Sequence, residues 1–299
     1  MRLETNAPTK TGPSWQMVNG DCIEEMGRLT ESAVDLSIYS PPFSSLFTYS
    51  ASPKDIGNCA NAEEFFAHMH FMIAELLRVT KPGRLTCCHI AQLPAMLSRD
   101  GYIGMKDIRG DLIRAFESGG FIYHGEVCID KDPQAQAIRT KSKGLLFVQM
   151  KKDSSWSRPA LADYILIFRK PGENAVPVTR DERNPLAALS TDEWISWARP
   201  IWYGIRESDT LNTALAKGDK DERHICPLQL GTIERCVRLW SNPGDLILSP
   251  FGGIGSEGYE AVRLGRRYLG IELKPEYFKV ACQNLATAET LKLQGELFV

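Results

Sequence analysis

Short apolar runs alternate along the chain with stretches of helical period. Val34 to Tyr39 (Val-Asp-Leu-Ser-Ile-Tyr) is brief and β-rich, which predicts a strand buried near a sheet centre. Trp15 to Val18, Leu85 to Ile90, Phe121 to Ile129, Asp163 to Phe168, Asp245 to Ser249 and Tyr268 to Ile271 read as further strands. Between them, Ala62 to Val79 sets Phe65, Met69, Met72 and Leu76 at helical intervals, and Phe66, Ile73 and Leu77 widen the same face. The spacing predicts a long helix whose methionines fill a core, stopped by Lys81-Pro82-Gly83. Cys22 to Leu29, Ile108 to Glu117, Leu230 to Trp240 and Ser256 to Leu264 predict shorter helices. Helices alternating with apolar strands predict an α/β fold on a mostly parallel sheet.

The pattern fails from Gly172 to Arg223, where prolines, charges and Trp194, Trp197 and Trp202 lack a common period. This predicts a peripheral helical lobe with the tryptophans as its small core. Residues 1–14 read as a loose arm. Ser44 to Asn61 reads as a long loop beside a predicted strand end, a length that usually serves function.

A chain of 299 residues, 43% hydrophobic and 24% charged, can bury an ordinary globular core. Polar Met1 to Lys10 lacks the apolar segment of a secretory signal, and no apolar run is long enough to span a membrane. Eight scattered cysteines without a Cys-x-x-Cys pair argue against a zinc site and fit a reducing cytoplasm. The net charge of −2 carries no global nucleic-acid signature. Its distribution is uneven: Lys131 to Lys170 holds nine Lys or Arg against three Asp or Glu, including Lys141, Lys143, Lys151 and Lys152.

Two stretches carry chemistry. Ser40-Pro41-Pro42-Phe43 ends the strand at Tyr39: two prolines cannot donate to a ladder, and they hold the residues before them extended. A hydroxyl, the free Pro41 carbonyl and an aromatic face are thereby packed together, a set that can stack on a planar ring and accept hydrogen bonds from its amino group. The second is Asp245-Leu-Ile-Leu-Ser-Pro-Phe-Gly-Gly-Ile-Gly-Ser-Glu-Gly258, followed by Tyr-Leu-Gly-Ile-Glu272. It reads as a strand, a glycine loop, a helix and a further strand ending in an acid. Gly253, Gly255 and Gly258 also match a dinucleotide fingerprint, but only 27 residues follow Glu272, which leaves no room for a second downstream nucleotide half.

Together the two stretches resemble the S-adenosylmethionine-dependent DNA amino-methyltransferases, which modify cytosine N4 or adenine N6. With the catalytic tetrapeptide first and the glycine loop last, the order resembles the permuted β group of that family. The resemblance implies a Rossmann-like seven-stranded sheet, circularly permuted, with its antiparallel strand among Phe121 to Ile129 and Asp163 to Phe168. It implies a catalytic domain made of residues 1–171 and 224–299, and a target-recognition region at 172–223. Ser40, Pro41, Pro42 and Phe43 become the catalytic residues. Asp21, Cys22, Pro227, Ser249, Phe251, Gly252, Gly253, Gly255, Ser256 and Glu272 become cofactor-binding residues, with His224 nearby. The basic segment becomes a phosphate-facing strip, joined by Arg199 and Arg206 as readers of DNA.

One departure stands out: Ser249 opens the loop where relatives often carry Asp. A serine-led tetrapeptide looks more like the cytosine-N4 enzymes, with adenine N6 as the alternative. A non-catalytic nucleic-acid-binding relative of the fold is the reading that Ser249 supports. Double-stranded DNA is the implied partner, and the resemblance brings with it a homodimer and a cognate restriction nuclease, neither legible in the residues.

Overall fold

All six residues of Val34–Tyr39 are buried, and the molecule is layered around them. The computed structural model describes residues 2–42, 59, 62–95, 97–140, 144–180, 188–212 and 227–297. In chain order the amino-terminal elements are β1 (Thr9–Thr11), β2 (Trp15–Asn19), α1 (Cys22–Gly27), β3 (Val34–Tyr39), α2 (Ala62–Val79) and β4 (Thr80–Ala91). The middle holds β5 (Leu93–Ala95), α3 (Leu97–Asp100), β6 (Gly104–Lys106), α4 (Ile108–Ser118), β7 (Ile122–Ile129), α5 (Pro133–Thr140) and β8 (Asp163–Arg169). The last are α6 (Thr191–Trp197), β9 (Ile201–Trp202), α7 (Leu230–Trp240), β10 (Leu246–Ser249), α8 (Ser256–Arg263), β11 (Arg267–Glu272) and α9 (Pro275–Leu297).

The main sheet runs β1-β2-β11-β10-β3-β4-β8-β7-β9. Strands β2, β11, β10, β3 and β4 are parallel, and β8 is antiparallel to both its neighbours. The antiparallel strand is therefore Asp163–Arg169. The sheet has nine strands where the resemblance implies seven, because β1 pairs with β2 at one edge and β9 with β7 at the other.

Each face is covered by helices. Met26 of α1, Phe65, Met69, Met72 and Leu76 of α2, and Leu112 and Phe116 of α4 are buried against one face. Ile233 and Val237 of α7, Ala261 and Val262 of α8, and Ala281 and Leu285 of α9 are buried against the other. A parallel sheet buried on both faces explains why its strands are continuous apolar runs rather than alternating ones. The methionines of α2 are core, as its spacing predicts.

Two expectations are corrected. The tryptophans of 172–223 do not share a small core of their own. Trp202 is fully buried in the main core, stacked on Trp240 at 6.1 Å, while Trp194 is exposed. Joining β9 to the sheet edge releases Trp202 from any local period, so its partner lies 38 residues away in α7 rather than beside it. The basic segment is also not one solvent-facing strip. Lys131 is buried against Asp163, and Arg158 turns inward to the Gly104 carbonyl. Each turns to a protein oxygen instead of solvent.

A cross-linked polar cluster fastens the other end of the central strands. Asp35 accepts from Lys81 Nζ at 2.5 Å and from the Leu246 amide at 2.9 Å. Arg84 donates to the Asp35 carbonyl at 2.8 Å and to the Asp245 carboxylate. This ties β3, β4 and β10 in register below the carboxyl ends where the candidate residues gather.

Candidate active site

Parallel strands present their carboxyl ends on one side, and every candidate loop leaves from that side. Strand β10 lies between β3 and β11, with Leu248 opposite Ser37 and Ser249 opposite Gly270. Ser40 and the glycine loop therefore leave adjacent strand ends. The Tyr39 and Phe251 rings meet between them, with centroids 5.8 Å apart and a tilt of 58°. Pro41 and Pro42 line a small apolar crevice with Phe65, Ile90, Leu93, Ile108 and Leu112, which seats the tetrapeptide on α2 and α4. Phe43 lies outside the described residues.

The glycine loop folds tightly over β11. Gly252 donates to the Ile271 carbonyl at 2.7 Å, and Gly255 to the Gly252 carbonyl at 2.8 Å. Gly253 (φ 51°) and Gly255 (φ 86°) adopt left-handed conformations, which favours glycine at both. A Cβ at Gly253 would meet nothing within 4 Å, so this part of the loop faces open space. Gly255 is also the N-cap of α8 and has no side chain to cap its first amides. The Ser256 hydroxyl beside it and Gln229 Oε1, at the start of α7, are buried without hydrogen-bond partners among the described residues.

Glu272 is half-buried at the end of β11. Its carboxylate accepts from the Gly253 amide at 2.7 Å and the Lys274 amide at 2.8 Å. Asp21 caps α1, its Oδ1 accepting from the Ile23 and Glu24 amides at 3.0 and 2.9 Å. Asn19 and Gly20 bind the Glu272 carbonyl, so Asp21 is held beside the acid of the next strand. Cys22 is buried, and burial raises its thiol well above the ordinary range. Ser249 is fully buried, and its hydroxyl lies beside the Tyr268 phenol, which burial pushes far up. Pro227 is half-buried just before α7. His224 lies outside the described residues.

Further along the same edge, β4 contributes His89, which lies 2.8 Å from the Ser40 hydroxyl through Nδ1. Sequence reasoning missed this residue. The available signal was a titratable side chain interrupting the apolar run Leu85 to Ile90. Of the DNA-facing candidates, Lys151, Lys152, Arg199 and Arg206 are exposed, and Lys141 and Lys143 lie outside the described residues. Among the described residues no helix is long and apolar enough to cross a membrane.

Comparison with known proteins gives a consistent answer. The family profile described as "DNA methylase", for the N6 and N4 enzymes, matches residues 34–283. The type II methyltransferase M.BglI of Bacillus subtilis is 28% identical over 174 residues, which is 58% of this chain and 41% of that protein. The chain thus spans less than half the length of that relative. A protein of Thermus thermophilus named "Putative DNA Modification Methylase", solved with S-adenosyl-L-methionine, superposes with a TM-score of 0.67 at 25% identity. That match covers 91% of this chain and 93% of the other. The cytosine-N4-specific PvuII DNA methyltransferase shares the fold, with a TM-score of 0.63 at 19% identity over 95% and 94% of the two chains. The chain belongs to the N6/N4 DNA methylase family.

Proposed function

We propose that this protein transfers the methyl group of S-adenosylmethionine to the exocyclic amino nitrogen of a flipped base in double-stranded DNA, with cytosine N4 the favoured target. The observation that carries the reading is the junction of the Ser40 strand end and the glycine loop, bridged by Tyr39 and Phe251. Residues 1–171 and 224–299 then form the catalytic domain in the permuted order, and 172–223 the target-recognition region. The serine at the head of the tetrapeptide favours cytosine over adenine.

The residues around the loop fit the cofactor. Gly253 faces open space, the α8 amides lack a side-chain cap, and the Ser256 and Gln229 oxygens, without partners among the described residues, would meet a polar ligand. Glu272 would take ribose hydroxyls, Asp21 the adenine edge, and Phe251 the adenine face, while Cys22, Gly252, Gly255 and Pro227 line the walls. Ser249 would act at the root of the loop, because its hydroxyl is enclosed. When bound, the cofactor supplies an electrophilic methyl group on a sulfonium.

An aromatic amine is a poor nucleophile because its lone pair is delocalised into the ring. Accepting its two hydrogens at the Ser40 hydroxyl and the Pro41 carbonyl draws the nitrogen toward tetrahedral geometry and frees that pair. The paired prolines hold both acceptors in place before the base arrives. Phe43 would stack on the base, which must leave the duplex because its amino group is otherwise paired.

Nucleoside mass spectrometry of unmethylated DNA incubated with the protein and S-adenosylmethionine tests this. N4-methylcytosine is the expected product. N6-methyladenine would keep the chemistry and move the base, whereas cofactor binding without any product would favour a nucleic-acid-binding role.

A further inference from the structure

The Ser40 hydroxyl is not free to turn. It lies 2.8 Å from His89 Nδ1, and Nε2 of the same ring lies 3.2 Å from Asp163 Oδ2. Lys131 Nζ sits 2.7 Å from that same carboxylate oxygen. His89 comes from β4, Asp163 opens β8, and Lys131 follows β7, so all three meet at the carboxyl edge of the sheet, and all three are buried. Burial would push the Asp163 carboxyl up. The hydrogen bond from His89 and the ammonium of Lys131 work against it and hold the group below its ordinary value.

The tautomer follows from the partners. An ionised carboxylate can only accept, so Nε2 carries the ring proton. In the neutral ring Nδ1 is then an acceptor, and what it takes from Ser40 is the hydroxyl hydrogen. The Ser40 oxygen is left with lone pairs alone toward the substrate side.

We infer that His89 is a positioning residue for amino methylation: it locks Ser40 as a hydrogen-bond acceptor and, through Ser40, receives the proton that the amino nitrogen must lose. This rests on the amino-methylation reading above. An unrestrained serine could donate its own hydrogen to the amino lone pair and block the nucleophile. His89 removes that option.

The same chain disposes of the proton. As the nitrogen–methyl bond forms, the electron pair of the broken methyl–sulfur bond stays on sulfur, and the amino nitrogen becomes cationic. One N–H bond then breaks toward the Ser40 oxygen while the serine O–H bond breaks toward Nδ1. Serine is regenerated, and the ring becomes an imidazolium held by Asp163 until it releases the proton to water. Nothing is oxidised or reduced. Lys131 lies against the same carboxylate and offsets its charge. Besides Asp163 and Lys131, the thiol of Cys128 on β7 lies within the field of Asp163, and burial with nearby carboxylates keeps it protonated by raising it.

Two measurements test this. In the full chain labelled with ¹⁵N-histidine, long-range NMR at pH 7 should find His89 neutral with its proton on Nε2. The signal is assigned by replacing His68, His70, His124 and His224 one at a time with Gln, so no variant of His89 is needed. An Nδ1-protonated ring would overturn the inference. In single-turnover methylation, the wild-type rate should fall on the acid side as the ring protonates. His89→Ala should lose about 100-fold with cofactor affinity unchanged. His89→Gln, which restores an acceptor for Ser40, should recover part of the rate without the acid limb. An acid limb and a rate unchanged in both variants would also overturn it. If the wild-type protein methylates nothing, the amino-methylation reading fails, and the NMR tautomer alone decides whether Ser40 is held as described.

Discussion

Tyr39 and Phe251 touch across the gap between β3 and the glycine loop, although 212 positions separate them in the chain. Tyr39 is fully buried and anchored in the core, while Phe251 is half-buried at the loop's edge. The contact makes the geometry of the Ser40 strand end dependent on the loop proposed to hold the cofactor. Phe251→Ala should weaken S-adenosylmethionine binding by about 10-fold, the loss of one aromatic contact of about 1.4 kcal/mol. Isothermal titration calorimetry on the folded variant measures it, and an unchanged affinity would remove Phe251 from the site.

Ser40→Ala separates chemistry from binding. It deletes one of the two proposed acceptors while leaving the glycine loop untouched. Turnover should drop by about 100-fold or more, and cofactor affinity should stay within about twofold. Equal loss of both would mean that Ser40 shapes the pocket rather than the reaction.

Glu257, in the first turn of α8, gives a signed pH prediction. Burial raises its carboxyl, its own backbone amide lowers it in part, and the nearby Glu272 charge raises it again, to about 8 from an ordinary 4.5. The folded state therefore holds a proton that the unfolded chain has already released between those two values. Stability contributed at low pH is lost as pH rises from about 4.5 to 8, by an amount on the order of 5 kcal/mol. Glu257→Gln should flatten that slope, with its advantage over wild type growing from pH 5 to pH 8 in urea denaturation. A parallel pH dependence in the two proteins would refute it.

Arg84 tests the polar cluster beneath the site. It is buried and joins the Asp35 carbonyl to the Asp245 carboxylate, so Arg84→Ala removes the cation paired with Asp245 and leaves the Asp35 carbonyl without its donor. The cost should be about 3–5 kcal/mol, read from chemical denaturation. Replacing exposed Arg267 in the same way should cost less than about 1 kcal/mol.

Lys151 and Lys152 are exposed neighbours in a short turn at the end of Phe147–Lys151. If both meet phosphates, changing both to alanine should lower the slope of log affinity against log salt by about 2. Fluorescence anisotropy of a labelled duplex across a salt series measures this. A uniform fall in affinity with an unchanged slope would assign them no phosphate contact.

The central elements were legible because their signals are local. Val34–Tyr39, Ala62–Val79 and Leu230–Trp240 form with the bounds their apolar patterns predict, since the strand is buried on both faces and each helix packs one continuous face. The Ser40 tetrapeptide and the glycine loop were legible because proline and glycine restrict the backbone wherever they occur. The companions of Ser40 were not. His89 lies 49 residues away and Asp163 a further 74, and neither has a neighbour in sequence that hints at the other. Lys131 looked like one more member of a basic run, because only antiparallel β8 brings Asp163 to it. The edge strand β9 was hidden for the same reason: two residues carry no period, and only the pairing with β7 defines them.

The placement of β10 between β3 and β11 has a consequence for the growing chain. Asp35 and the Leu246 amide it binds are 211 residues apart. On the ribosome, β3 can pair with β4 early, but its other side stays bare until Ser249 has emerged, roughly 10–40 s later at ordinary rates of synthesis. A bare apolar strand edge is a template for any other chain that reaches it. Messages cut short before codon 246 should therefore yield fragments that aggregate or are held by chaperones, even though most of their helices are already encoded.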